Sequence, residues 1–322
     1  MTAPLVSVVM PTYGHREYIL RSLDSVFRQT FRDYEIIVIN DGSPDDTATL
    51  LKPLAQAGRI TYFEQTNQGQ STARNRGLAQ ARGRFIALLD DDDLWPEDKL
   101  EWQVNFLEQN PTVGVIAGVA QMIDEQGRLG ERRDFHPSIT FEFLFEKNPI
   151  FTPGQTLIRA DLLRSLGGFN PAIWGADDWD LWFRIIRRQE IVMQDRLALY
   201  YRMHPTNASK QVGRLLAGCC MVVKGHLKHA APGRRWRLRR AGYRRIYVSF
   251  GSALVAGARH EVKEGRLGSA WRELVALRAM GPGFFLDPAF CAWFLRDLLV
   301  TPVWHRLRRA GLALLKTPVS PL

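Results

Sequence analysis

Five apolar runs, each followed by a segment of different periodicity, constrain this chain more than anything else in it. They are "LVSVVMPTY" from residue 5, "YEIIVIND" from 34, "RITYFEQ" from 59, "FIALL" from 85 and "TVGVIAGVAQMID" from 112. The second has no polar alternation, as a strand buried on both faces requires. Between the runs lie helical patterns. "REYILRSLDSVFRQT" sets Leu20, Leu23 and Phe27 at helical spacing, and "PDDTATLLKPLAQAG" closes on Gly58. "QSTARNRGLAQARG" predicts a helix capped by Ser71 or Thr72, with Gly83 past its end. "WPEDKLEWQVNFLEQNP" predicts another, with Pro96 near its first position. Strand–helix alternation of this kind implies right-handed crossovers and an α/β fold on a mainly parallel sheet. Ligands of such sheets bind at the carboxyl ends of the strands. Here those ends are Pro11-Thr12-Tyr13, Asn40-Asp41-Gly42-Ser43, Glu64-Gln65 and Asp90-Asp91-Asp92-Asp93.

Four adjacent carboxylates at a strand end repel one another, and desolvation worsens the repulsion. Either the run is a solvated turn or a cation completes it. A hard divalent ion with oxygen ligands is the natural occupant.

After about residue 130 the pattern loosens. "FEFLFEKNPIFTPGQTLIRADLLRSLGGFN" mixes a short helix, a Pro/Gly turn, a strand and a second helix. "DDWDLWFRIIRR" is an amphipathic helix with Trp179, Trp182, Phe183 and Ile186 on one face. From residue 210 the chain reads as helices without strands, and its charge changes sign. That region holds 21 Lys/Arg against 5 Asp/Glu, a balance of +16, whereas residues 1–209 stand at −6. Basic, Trp- and Phe-bearing helices suit an anionic membrane surface; a solvated basic bundle has the same composition. Three cysteines without C-x-x-C spacing argue against a zinc site or disulfide framework and suit a reducing compartment. The first residues show no basic signal-peptide region, and no apolar stretch approaches the ~18 residues of a membrane span. A cytoplasmic protein, peripheral on the membrane, is expected.

Taken together, "VSVVMPTYGHREYILRSLDSVFRQTFRDYEIIVINDGSPDDT", "NQGQSTARNRGLAQARGRFIALLDDDDLWPEDKLE", "GQTLIRADLLRSLGGFN" and "GADDWDLWFRI" resemble the family-2 glycosyltransferases of the GT-A fold. The resemblance covers roughly residues 5–205 and implies a Rossmann-like, mainly parallel sheet flanked by helices. It implies a glycosyltransferase domain at 1–209, with a nucleotide-sugar half to about 125 and an acceptor half from about 126. A basic α-helical region, 210–322, follows. The implied reaction is inverting transfer of a sugar from a nucleotide diphosphate donor, expected to be a UDP-sugar, to a hydroxyl of a glycan or lipid-linked acceptor in cell-surface polysaccharide synthesis. Mg²⁺ or Mn²⁺ would neutralise the leaving diphosphate.

The residue roles come from the same resemblance. The D-x-D motif falls on Asp90 and Asp92, and extended chain would point both the same way. Asp92 is then the direct metal ligand, Asp90 meets the donor ribose or the metal, Asp91 meets the donor, and Asp93 caps the next helix. Asp41, in "NDGS" where relatives carry "DDGS", would accept from the base. Pro11, Thr12 and Tyr13 would wall the base pocket, and Arg74 would contact base or phosphates. Asp178 is the expected catalytic base, since a sugar hydroxyl needs a proton acceptor as it attacks. Asp177 would position the acceptor or back the base, although either acid could instead cap the helix. His204 would face the diphosphate or metal. Trp174 and Trp182 could stack on sugar, Trp182 more naturally joining the core. A sugar nucleotidyltransferase needs a Gly/Arg-rich phosphate loop where this chain has "PTYGHREY". A nucleic-acid-binding protein would leave the acid clusters repelling phosphates.

Overall fold

The computed structural model describes residues 3–207 and 211–280, with Pro288, Cys291, Phe294 and Leu295 beyond them. The described residues divide into two units: those of 3–173 with 177–207, and 174–176 with those from 211 onward.

The first unit is built on one sheet of eight strands: β1 (Val6–Thr12), β2 (Tyr34–Asn40), β3 (Thr61–Glu64), β4 (Phe85–Leu88), β5 (Val113–Ile123), β6 (Leu129–Arg132), β7 (Thr156–Arg159) and β8 (Glu190–Arg202). Their order is β3-β2-β1-β4-β7-β5-β6, with β8 beside β5. The first four pair in parallel, as do β5 and β8, while β7 runs antiparallel between β4 and β5. The chain adds β2 and β3 on one side of β1, then returns to place β4 on the other. In open sheets of this kind ligands bind where the strand order reverses, here at the carboxyl ends of β1 and β4, and Tyr13–His15 and Asp90–Asp93 follow those two ends.

Flanking the sheet are α1 (Ile19–Phe27), α2 (Thr47–Gln56), α3 (Gln70–Gln80), α4 (Lys99–Gln109), α5 (Phe143–Glu146), α6 (Ala160–Ser165) and α7 (Asp177–Ile185). The core carries Val8, Met10, Val38, Phe85 and Ala87 of the sheet, Leu89 just past β4, and Ile19, Leu23 and Val26 of α1. Each of these side chains but Ala87 contributes about 1.5–3 kcal/mol on burial.

Several boundaries differ from expectation. The buried stripe of α1 is Ile19, Leu23 and Val26; Leu20 is 42% exposed. Gly69, at φ +88°, precedes α3, and no side chain caps it, so Ser71 is released for other work. Pro96 lies in a turn before α4, and its carbonyl accepts from Lys99 N and Gln29 Nε2. Trp179, Trp182 and Phe183 are buried on α7, with Leu181 and Ile185, while Ile186 is half-buried just past its end. The longest strand, β8, escapes the sequence reading. Gln194, Asp195 and Arg196 interrupt its apolar pattern where its register with β5 shifts.

The second unit contains α8 (Val212–Leu227), α9 (Arg235–Ile246), α10 (Ser252–Lys263) and α11 (Leu267–Ala276). Leu215, Leu216, Val222 and Val223 of α8 are buried, as are Cys219 and Cys220. In α9 only Leu238, Gly242 and Ile246 are buried, and Trp236 is 67% exposed among arginines. The run "FFLDPAFCAWFLRDLLVTPVWHRLRRAGLALL" falls, but for four residues, outside the described residues. Among them, no helix is long and apolar enough to cross a membrane.

Candidate active site

The acidic run forms a turn, not extended chain: Asp93 N donates to the Asp90 carbonyl at 3.3 Å. The four carboxylates therefore find four different environments, and Asp90 and Asp92 do not share partners. Asp90 accepts from Arg74 Nη2 at 2.7 Å, Gln70 Nε2 at 3.0 Å and Thr152 Oγ1 at 3.1 Å. Asp91 accepts from Tyr13 N at 3.1 Å and meets His15 Nδ1 at 2.8 Å. Asp92 meets His204 Nε2 at 2.9 Å. Asp93 caps no helix. It is fully buried, its Oδ1 accepts from Arg202 N at 2.9 Å, and its Oδ2 has no partner.

Electrostatics follow from that crowding. Burial pushes the Asp92 carboxyl above its ordinary range; the His204 hydrogen bond opposes the rise and the charges of Asp91 and Asp90 add to it. Asp93 is driven well above, by burial first and then by Asp92 and Asp90. Burial lowers His15, but the Asp91 hydrogen bond and the three neighbouring carboxylates prevail and raise it to about 9. The turn is short of positive charge.

A divalent cation fits this deficit. His15, Asp92 and His204 each offer one ligand atom, and these atoms lie within 4.8 Å of one another. Ligands on opposite sides of one ion at roughly 2.2 Å stand about 4.4 Å apart, so small adjustments close such a shell. A carboxylate with imidazoles is a chemically sound donor set for Mn²⁺ and acceptable for Mg²⁺ with water completing the sphere.

Asp41 lies buried at the end of β2. It accepts from Gln65 Nε2 at 2.7 Å, Gln68 N at 2.9 Å and Gly69 N at 2.8 Å, holding the loop that leads into α3. A carboxylate offers about four acceptor sites, so capacity for one further donor remains. Asn40 makes the turn: its Oδ1 accepts from Ser43 N and its Nδ2 donates to Tyr62 Oη. Pro11 and Thr12 are buried, Tyr13 is 48% exposed, and Thr12 Oγ1 is a buried hydroxyl without a partner.

Arg74, 2% exposed, joins the two acid clusters. Its Nη2 reaches Asp90 and its Nη1 lies 3.2 Å from Asp177 Oδ2. Burial opposes its charge, but the carboxylates outweigh burial and raise its pKa. Ser71 Oγ donates to the same Asp177 oxygen at 2.7 Å. Asp177 is thereby fixed. Asp178, beside it and half-buried, accepts only from Trp179 N, with no side-chain donor among the described residues. Burial first, and the Asp177 charge second, push its carboxyl up to about 7.

His15, Ser71, Gln70, Thr152 and Asn207 join the site without having been expected. His15 lies three residues past the carboxyl end of the first strand, and that place is the signal that could have found it. Trp182 is core, and Trp174 lies under the Arg214 guanidinium at 4.2 Å, within the second unit.

The chain is similar to known proteins at three levels. The family described as Glycosyl transferase family 2 matches residues 7–167, half the chain. An uncharacterized glycosyltransferase of Rickettsia felis is 31% identical over 232 residues, 70% of this chain and 38% of that protein's length. In fold, the chain resembles residues 1–349 of S. aureus TarS in complex with UDP-GlcNAc, at a TM-score of 0.57 and 17% identity, covering 85% of this chain and 91% of that one. It also resembles the mannosyltransferase PcManGT from Pyrobaculum calidifontis in complex with GDP-Man and Mn²⁺, at 0.57 and 22%, covering 95% and 88%. These neighbours share the expected GT-A architecture, and the chain belongs to glycosyl transferase family 2.

Proposed function

We propose that the protein transfers a sugar from a nucleoside diphosphate donor to an acceptor hydroxyl, with inversion at the anomeric carbon and Asp178 as the base. The observation that carries this reading is the contrast between two adjacent acids. Asp177 is locked by Ser71 and Arg74, while Asp178 has no side-chain donor and a pKa of about 7, suited to a base at neutral pH. As the acceptor oxygen attacks, its proton passes to Asp178. The anomeric C–O bond to the diphosphate breaks, and the diphosphate leaves with the bonding electrons. One displacement inverts configuration, through an oxocarbenium-like transition state.

TarS carries a uridine donor and PcManGT a guanosine donor, which supports the donor class. A UDP-sugar is the first donor to assay. Asp41 has acceptor capacity for the base N–H, and Thr12 Oγ1 is a second unused polar atom near the same strand ends. Arg74, Asp90 and Asp91 would set the donor against the turn. A bound Mg²⁺ or Mn²⁺ supplies charge neutralisation for the leaving diphosphate, and Asp92 and His204 would hold it. The acceptor is a glycan or lipid-linked hydroxyl, which a basic helical unit bound to anionic lipid would bring within reach.

The test is transfer by Asp178→Asn and Asp177→Asn. Loss of the base should lower kcat by about 10²–10⁴-fold while leaving donor affinity near wild type. An Asp178→Asn enzyme at wild-type rate would overturn the assignment. Full activity in excess EDTA would remove the metal.

A further inference from the structure

We propose that His15 is a metal ligand, so that the cation of this site is held by two imidazoles and one carboxylate and binds Mn²⁺ in preference to Mg²⁺. The inference rests on the reading of the site as that of a metal-dependent transferase. It goes further by naming a ligand from the loop after β1 and the ion class that ligand selects.

Three independent features of the geometry point to it. The first is proximity: ligand atoms of His15, Asp92 and His204 converge within 4.8 Å, and the His15 and His204 rings stand edge to face with centroids 5.3 Å apart. The His204 Nε2 to Asp92 Oδ2 separation of 2.9 Å matches the roughly 3 Å between adjacent ligands on an ion with bonds of about 2.1 Å.

The second is how the rings are held. A ligating histidine anchors its other ring nitrogen on an oxygen, which fixes ring and tautomer. Both imidazoles show this arrangement. His15 Nδ1 lies 2.8 Å from Asp91 Oδ1, and His204 Nδ1 lies 2.8 Å from Thr206 Oγ1. That leaves Nε2 of His15 for an ion, and sets Nε2 of His204 against its fellow ligand Asp92. Asp91 is itself held by the Tyr13 amide.

The third is the fold. The reversal of strand order sets the loop after β1 against the turn after β4, so one ion can be held from both. Binding it would tie the Tyr13–His15 segment, which follows the nucleotide-facing end of β1, to the Asp90–Asp93 turn. Imidazole nitrogen is a better ligand for Mn²⁺ and later ions than for Mg²⁺, which demands oxygen and keeps its waters.

The experiment reads Mn²⁺ directly, without donor or acceptor, by titration calorimetry and by electron spin-echo modulation from ¹⁴N. Wild type should show two coupled imidazole nitrogens and prefer Mn²⁺ to Mg²⁺. His15→Gln should show one nitrogen and bind Mn²⁺ more weakly by about tenfold or more. His15→Asp, which restores a ligand but as oxygen, should recover affinity and narrow the Mn²⁺/Mg²⁺ preference. A purely structural histidine would give neither the lost nitrogen nor the changed preference. His15→Gln binding Mn²⁺ with wild-type affinity and two nitrogens would overturn the inference while leaving the metal reading intact. No Mn²⁺ binding by wild type would overturn both.

Discussion

Asp178 titrates in the range where the protein would work, which gives two expectations of opposite sign. The proposed base acts when deprotonated, so kcat/KM should rise with pH through an apparent pKa of about 7. For stability, its folded pKa lies above the ordinary 3.8. Its contribution is therefore full below 3.8 and is lost as pH climbs to about 7. Asp178→Asn removes that charge, so the thermal stability of the variant relative to wild type should improve progressively between pH 4 and 7. A pH-independent difference would contradict the assigned environment. Ser71 makes the reverse case. Its hydroxyl bonds a buried carboxylate, and hydrogen bonds to charged groups contribute about 1.5–3 kcal/mol. Ser71→Ala should cost about that much in denaturant unfolding.

At the scale of elements, the strands at the heart of the sheet were legible because burial on both faces leaves apolar sequence no alternative. So was the position of the acid cluster, since strand–helix alternation fixes which strand ends carry ligands. The antiparallel β7 announced itself only as a short run between a Pro/Gly turn and a helix; its place between β4 and β5 depends on long-range pairing. Ser71 read as a helix cap because local chemistry favours that, and the tertiary contact with Asp177 decided otherwise. His15 was passed over because a lone histidine in a loop carries no periodic signal. A glycine shows how closely the layers meet. On α3, a Cβ at Gly77 would collide with Val9 Cγ1 of β1 and press on Ile39 Cγ1 of β2 at 3.4 Å. Gly77→Ala gains up to ~1 kcal/mol in helix propensity, but overpacking costs about 1–3 kcal/mol. We expect a lower melting temperature, and a double variant with Val9→Ala that is less destabilised than the sum of the two singles.

For the whole molecule, the charge asymmetry has a direct readout. With a balance of +16 from residue 210 onward and a helix such as α9 exposing Trp236 among arginines, the protein should bind anionic liposomes. It should release them partly at high salt as the screening length shortens. Equal binding to neutral vesicles would remove the electrostatic account.

The two units are not consecutive along the chain. Trp174–Ala176 belongs with the second unit, yet Asp177 and Asp178 follow at once in the first. Gly218 of α8 has no room for a Cβ because the Trp174 carbonyl lies against it, and Arg214 covers the Trp174 ring. A chain ending at Asn207 would keep every site residue named above and still lose the anchorage of the tripeptide that precedes Asp177 and Asp178. Recombination of this family module is therefore asymmetric. Swapping the segment before residue 173 leaves that clasp untouched, whereas exchanging the helices from α8 onward replaces what residues 174–176 pack against. Chimeras made by exchanging everything after residue 207 should fold and yet transfer poorly until residues 174–176 are exchanged with it.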